Sequence, residues 1–119
     1  MYHKIEMIGR LGRDPETRIT PTGKTLCELS VATDWYDGEQ TKTVWFRVTV
    51  WGNMAEVASK SLRKGHLVFV SGNLVPDDTG NPRAYIRKNG EPAANFEVNA
   101  SKILFLSPKG YGQSDEDIF

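Results

Sequence analysis

Residues 44–51 read Val44-Trp45-Phe46-Arg47-Val48-Thr49-Val50-Trp51, with apolar side chains at both odd and even positions, and the architecture follows from this segment. Side chains of a β-strand alternate between faces, so Val44, Phe46, Val48 and Val50 share one face while Trp45, Arg47, Thr49 and Trp51 share the other. The first row is a core face. The second sets two indoles on either side of a guanidinium, a composition poorly suited to facing water alone. It suits a flat anionic ligand, because nucleobases stack on aromatic rings and each phosphodiester offers a charge to an arginine. The other reading of the same row is burial against a helix or a second subunit, since indoles are usually well buried.

Turn signals divide the rest of the chain. Tyr2 to Leu11 is predicted as a first strand, closed by Gly9, Gly12 and Asp14-Pro15, and Thr25 to Thr33 as a second, opened by Pro21-Thr22-Gly23. Cys27, Leu29 and Val31 alternate with Glu28, Ser30 and Ala32, which gives the second strand one core face. Asp37-Gly38 marks the turn into the third strand. Next comes the one convincing helix: Asn53 is placed to cap it, Glu56 completes a capping box, Met54, Val57, Ala58 and Leu62 form an apolar stripe, and Gly65 stops it. Leu67 to Val75 is a fourth strand, with Gly72 as a bend or close backbone approach. Pro76 to Pro82 cannot continue a sheet. Ala84 to Lys88, the Asn89-Gly90 turn and Asn95 to Leu106 read as a hairpin arm leading into a final strand. Five strands with one helix between the third and fourth is the order of an OB-fold, an all-β, five-stranded Greek-key barrel. Residues 108–119 offer no core residues and are predicted to be a short disordered acidic tail on a domain of residues 1–107.

Composition agrees with a single small globular domain: 119 residues, 25% charged and 39% hydrophobic. No apolar run approaches the roughly 18 residues of a membrane span, and the start Met-Tyr-His-Lys-Ile-Glu lacks the pattern of a signal or transit peptide, so the chain as given is expected to be cytoplasmic, or already processed. Cys27, the single cysteine, excludes an internal disulfide and is predicted to be a small core residue. The formal net charge is zero, but it divides unevenly. All 15 Lys and Arg precede residue 114, whereas three of the 15 acids are Asp115, Glu116 and Asp117, so the body carries +3 and the end −3.

The run Ile8-Gly9-Arg10-Leu11-Gly12-Arg13-Asp14-Pro15-Glu16-Thr17-Arg18, the segment Val44 to Val48, the helix with Ala55-Glu56-Val57-Ala58 and Leu62-Arg63-Lys64-Gly65, and Val70-Ser71-Gly72-Asn73-Leu74 closely resemble the bacterial and mitochondrial type of single-stranded DNA-binding protein. The resemblance covers roughly residues 3 to 106 in unbroken order. It implies an OB-fold that assembles as a homotetramer and wraps single-stranded DNA without sequence preference in replication, recombination and repair, with no catalysis, no cofactor and no required metal. Position by position, it puts the stacking aromatics at Trp45, Trp51 and Tyr85, with Trp35 at or next to a fourth. Arg47 shares the Trp45 and Trp51 row, and Arg10, Arg13, Lys64, Arg83 and Arg87 are candidate phosphate contacts from neighbouring strands and loops. Phe69 faces away from Val68 and Val70, as a further stacking platform or a packed interface residue. The tetramer contacts are expected to run through the first strand around Ile5 and Met7 and the sheet face bearing Phe69.

Two departures from the family pattern matter. Residues 75–82 form an acidic, proline-bounded insertion before the arm that carries Tyr85, placed to shift that arm relative to DNA. The family's tail is typically a long Gly-rich segment ending in several acids and then Ile-Pro-Phe; here a spacer of about seven residues leads to Asp115-Glu116-Asp117-Ile118-Phe119, without the proline. The acids repel phosphate, whereas Ile118 and Phe119 offer an apolar grip beside a terminal carboxylate, so the tail is predicted to dock replication and repair proteins.

Catalytic and metal-binding motifs are weak. Gly23-Lys24-Thr25 ends like a P-loop, but the glycine required five positions earlier is Arg18, and a strand rather than a helix follows. His3 and His66 have no Cys or carboxylate at ligand spacing. The readings left open from other classes are an OB module that binds mainly protein, such as a replisome or primosome adaptor, and an OB-type binder of structured RNA or oligosaccharide.

Overall fold

The structure, a computed structural model, describes residues 1–107. Along the chain come β1 (Ile5–Leu11), β2 (Glu16–Ile19), β3 (Thr25–Tyr36), β4 (Thr41–Trp51), α1 (Asn53–Ser61), β5 (Leu67–Leu74), β6 (Ala84–Ile86), β7 (Pro92–Ala94) and β8 (Phe96–Phe105). Five of the strands close into a ring. β1 pairs with β5, β5 with β8, β8 with β4 and β4 with β3, and the end of β1 returns to β3 through Arg10 opposite Ala32 and Leu11 opposite Val31. Among the described residues only the β4–β8 pair is parallel. This is the expected OB barrel, with β2 added to β3 and with β6 and β7 forming a separate two-stranded arm.

The period-2 patterning fills the barrel. Cys27, Leu29 and Val31 from β3 and Val48 and Val50 from β4 meet Met7 and Leu11 from β1, Val68 and Val70 from β5, and Val98 and Ile103 from β8. Each fully buried Val, Leu or Ile contributes about 1.5–3 kcal/mol. The turn at Asp37-Gly38 forms as expected: Asp37 Oδ1 accepts bonds from the backbone N–H groups of Glu39 and Gln40, both at 2.9 Å. These bonds hold the Asp37 carboxyl below its ordinary pKa.

Several boundaries move. β3 continues to Tyr36 and β4 begins at Thr41, so these strands form a hairpin that extends past the barrel. β2, too short and polar to register as a strand in the sequence, is held by its pairing with β3. The helix differs most. Its N-cap is Gly52, at φ 68°, and no side chain caps it; Asn53 already lies in the first turn. The chain must turn sharply out of β4, and glycine reaches that positive φ without a Cβ clash. Half of the predicted stripe is buried, Ala58 and Leu62, and Ala55 joins them, while Met54 and Val57 are 37% and 51% exposed. Two small alanines let the helix lie close against the barrel. The helix also ends before Gly65, because Leu62 turns extended.

The irregularity at Gly72 is a bulge, where the β5–β8 register slips between Ser71 and Gly72. A Cβ at Gly72 would run into the Asn99 carbonyl oxygen. Ile5 and Met7 are not on an outer face: Met7 belongs to the barrel core and Ile5 packs against it. Side-chain alternation instead turns Ile8 outward on β1. It sits in register with Phe69, which in turn pairs with Leu104.

Candidate nucleic-acid interface

The outer face of β2, β3 and β4 is a ladder of cross-strand rows. Arg18, Leu26 and Trp51 make one row; Glu16, Glu28 and Thr49 the next; Ser30 and Arg47 the third; Ala32 and Trp45 the fourth. Arg10 extends that last row across Ala32. The indoles lie six positions apart along β4, about 20 Å at the rise of an extended strand. Trp45 and Trp51 are 51% and 42% exposed, so no element among the described residues buries them. Trp45 lies over Gly12, whose lack of a side chain leaves room for its ring. The Trp51 Nε1 donates to Asn99 Oδ1 at 3.4 Å. Beside Trp45, a groove of about 360 Å³ is lined by Arg13, Ser30, Phe46, Arg47 and Asn95.

Electrostatically, the centre of the ladder is Glu28, 6% exposed and on the same face as the indoles. Its Oε2 accepts from Arg47 Nε at 3.0 Å and lies 2.9 Å from Arg47 Nη2, and its Oε1 pairs with Arg18 Nη2. Neither Glu28 nor Arg18 stood out in the sequence as a functional residue. The available signal was an acid inside Leu26-Cys27-Glu28-Leu29 at the parity opposite the core.

The remaining predicted residues spread out. Arg13 shares the Trp45 groove and lies 4.0 Å from Glu16. Arg10 Nη1 donates to the Gly65 carbonyl at 3.0 Å. Lys64 is exposed, its backbone N–H bonded to Asp14 Oδ1 at 2.8 Å. Tyr85 is exposed on β6, with Arg83 and Arg87 flanking that strand; Arg83 Nε lies 3.6 Å from Glu97 Oε2. Trp35 is not brought into the ladder. It pairs in register with Lys42, whose ammonium lies 5.9 Å from its ring centre, and alternation puts it on the opposite face of the β3–β4 hairpin from Trp45. Its neighbour Tyr36 has the ladder's parity. Asp115, Glu116, Asp117, Ile118 and Phe119 lie outside the described residues. Among the described residues no cluster of three or more His, Cys, Asp or Glu could hold a metal ion, and no helix is long and apolar enough to cross a membrane.

The model of the single-strand binding protein family matches residues 2–106 of this sequence. The chain belongs to that family. It is similar to single-stranded DNA-binding proteins of Neisseria meningitidis, one from a serogroup A strain and one from a serogroup B strain. Each is 35% identical over 127 aligned positions, which cover 93% of this chain and 70% of the relative. Among solved structures, a Plasmodium falciparum SSB in complex with single-stranded DNA superposes with a TM-score of 0.69 at 30% identity, covering 90% of this chain and 97% of the other. As a single-strand binding family member, the chain carries the indole ladder on an OB barrel shared with that structure.

Proposed function

We propose that this protein binds single-stranded DNA without sequence preference and protects it during replication, recombination and repair. Bases stack on Trp45 and Trp51 while arginines between and beside them take phosphates. The observation that carries this reading is the pair of outward indoles on β4 with a guanidinium in the row between them. Stacking is sequence-tolerant, since every base has a π-face, and contributes about 1–3 kcal/mol per base. A duplex keeps its bases stacked on one another and offers none to the indoles.

Tyr85, with Arg83 and Arg87, extends the path along the arm; Arg10, Arg13 and Lys64 extend it along the barrel, and Trp35 contributes from the hairpin's far face. The chain acts by binding rather than catalysis. One barrel offers a short groove, so tight binding to long strands calls for several copies, as a homotetramer. The outward row of Ile8, Phe69 and Leu104, with Ile8 and Leu104 exposed, is the surface for that assembly. The tail from Asp115 to Phe119 recruits replication and repair proteins. Anisotropy of labelled oligo-dT and of a labelled duplex of equal length tests the core of the reading: tight binding of the first and weak binding of the second is expected, and equal affinity for both overturns it.

A further inference from the structure

Glu28 is a buried carboxylate in the middle of a surface that should attract phosphate. Its own sign is wrong for the ligand, yet both its oxygens are occupied. Oε2 takes the Nε and Nη2 edge of Arg47 at 3.0 and 2.9 Å, and Oε1 takes Arg18. The geometry leaves ligand-binding capacity on both arginines. With its Nε–H donated to Glu28 and Nη2 in ion-pair contact with the same oxygen, Arg47 keeps its Nη1 and outer Nη2 donors, an end-on fork suited to two phosphate oxygens. The Arg47 and Arg18 side chains are 42% and 55% exposed although their shared partner is not. The other acids of this face have cations of their own, Glu16 beside Arg13 and Glu97 beside Arg83. In the ladder the Arg18 row coincides with that of Trp51, and the Arg47 row adjoins that of Trp45.

We propose that Glu28 is a positioning residue that fixes Arg18 and Arg47 as a two-guanidinium seat for a phosphodiester between the Trp45 and Trp51 platforms. This rests on the single-strand reading above and adds Arg18 to the binding surface. Glu28 removes one unit of charge, leaving the cluster at +1, and in return holds two flexible side chains in place, so the ligand meets them already ordered.

Glu28→Gln separates positioning from charge. The variant keeps the shape and one acceptor oxygen but turns an NH2 toward a guanidinium, so it holds only one arginine, while the cluster rises to +2. If Glu28 merely damped the charge, Glu28→Gln would tighten oligo-dT binding at every salt concentration. As a positioning residue, its loss steepens the salt dependence and weakens binding about three- to tenfold at about 0.5 M salt, where long-range attraction is screened. Equal or tighter binding at that salt overturns the seat. Arg18→Ala, a surface truncation, should lower the salt slope by about 0.7, the value of one phosphate contact on a single strand; an unchanged slope removes Arg18 from it. Glu28→Gln added to an Arg18→Ala, Arg47→Ala double variant should leave affinity unmoved even if melting temperature shifts. A further loss of affinity there contradicts action through the arginines. Failure of the wild-type protein to bind oligo-dT would instead sink the single-strand reading itself.

Discussion

Trp45 concentrates the binding argument in one side chain, because it is exposed, shares a groove with Arg13 and Arg47, and rests on Gly12. Trp45→Ala should weaken oligo-dT binding roughly ten- to hundredfold through the loss of one stacked base, with the barrel intact by circular dichroism. Gly12→Ala tests the same platform from below. Its methyl group would occupy the indole's place, so the ring must swing away and affinity should fall without a change at Trp45 itself; wild-type affinity would mean that the ring's seat is unimportant. In the core, burial pushes the Cys27 thiol above its ordinary pKa. The unfolded chain therefore loses this proton first. The contribution is whole below about pH 9 and declines as pH rises toward the raised folded value, by at most about 1.4 kcal/mol per pH unit. Urea midpoints at pH 8 and 10 should converge between wild type and Cys27→Ala as pH rises; a constant gap contradicts this. The parity of Trp45 and Trp51 was legible in the sequence. The tie between Glu28 and Arg47 was not, since pairing partners nineteen residues apart become neighbours only once the β3–β4 register is set.

Among the elements, strands with clean alternation were legible and the helix less so. β3 and β4 followed their patterns because a one-residue slip would turn every core side chain outward. In the α1 stripe Ala58 and Leu62 were read correctly, but Met54 and Val57 were preferred to Ala55 because hydrophobicity alone favours the larger side chains, whereas the tight approach to the barrel selects the alanine. β2 escaped notice because pairing with β3, rather than any core row of its own, makes it a strand. Gly72 was legible as an irregularity, and its bulge gives a direct test. Gly72→Ala must push the β8 backbone at Asn99, and should cost about 1–3 kcal/mol in urea unfolding, as overpacking does; an unchanged midpoint would contradict the close approach. In the loop between β5 and β6, Asp77 Oδ1 accepts from the Thr79 and Asn81 backbone N–H groups, both at 2.9 Å, and from the Thr79 hydroxyl at 2.7 Å. These bonds lower its pKa, so the order they give is full above 3.8 and lost as pH falls through the lowered value. The Thr79 and Asn81 amide resonances should titrate with a midpoint below 3.8, and a higher midpoint contradicts the bonding.

At the scale of the whole molecule, the charge budget is small: a body of +3, in which Glu28 partly neutralises the ladder arginines Arg18 and Arg47, and Glu16 and Glu97 lie beside Arg13 and Arg83. Stacking must then supply more of the affinity than phosphate contacts do, and binding to oligo-dT should persist at salt concentrations that strip a purely electrostatic binder. The barrel was legible from element order together with the family motifs, whereas the return of β1 to β3 that closes it was not. The outward face of β1 was read one residue out of step, at Ile5 and Met7 rather than Ile8, because β1 carries apolar residues on both faces and only closure decides which face turns inward. The measurement that bears most directly on the central claim is intrinsic tryptophan fluorescence titrated with oligo-dT and, separately, with duplex of the same length. Bases stacked on Trp45 and Trp51 should quench the signal strongly with oligo-dT and scarcely with duplex, and Trp45→Ala should lose a large part of that quench together with affinity. Equal quenching by duplex, or oligo-dT binding that leaves the indoles unquenched, would contradict it.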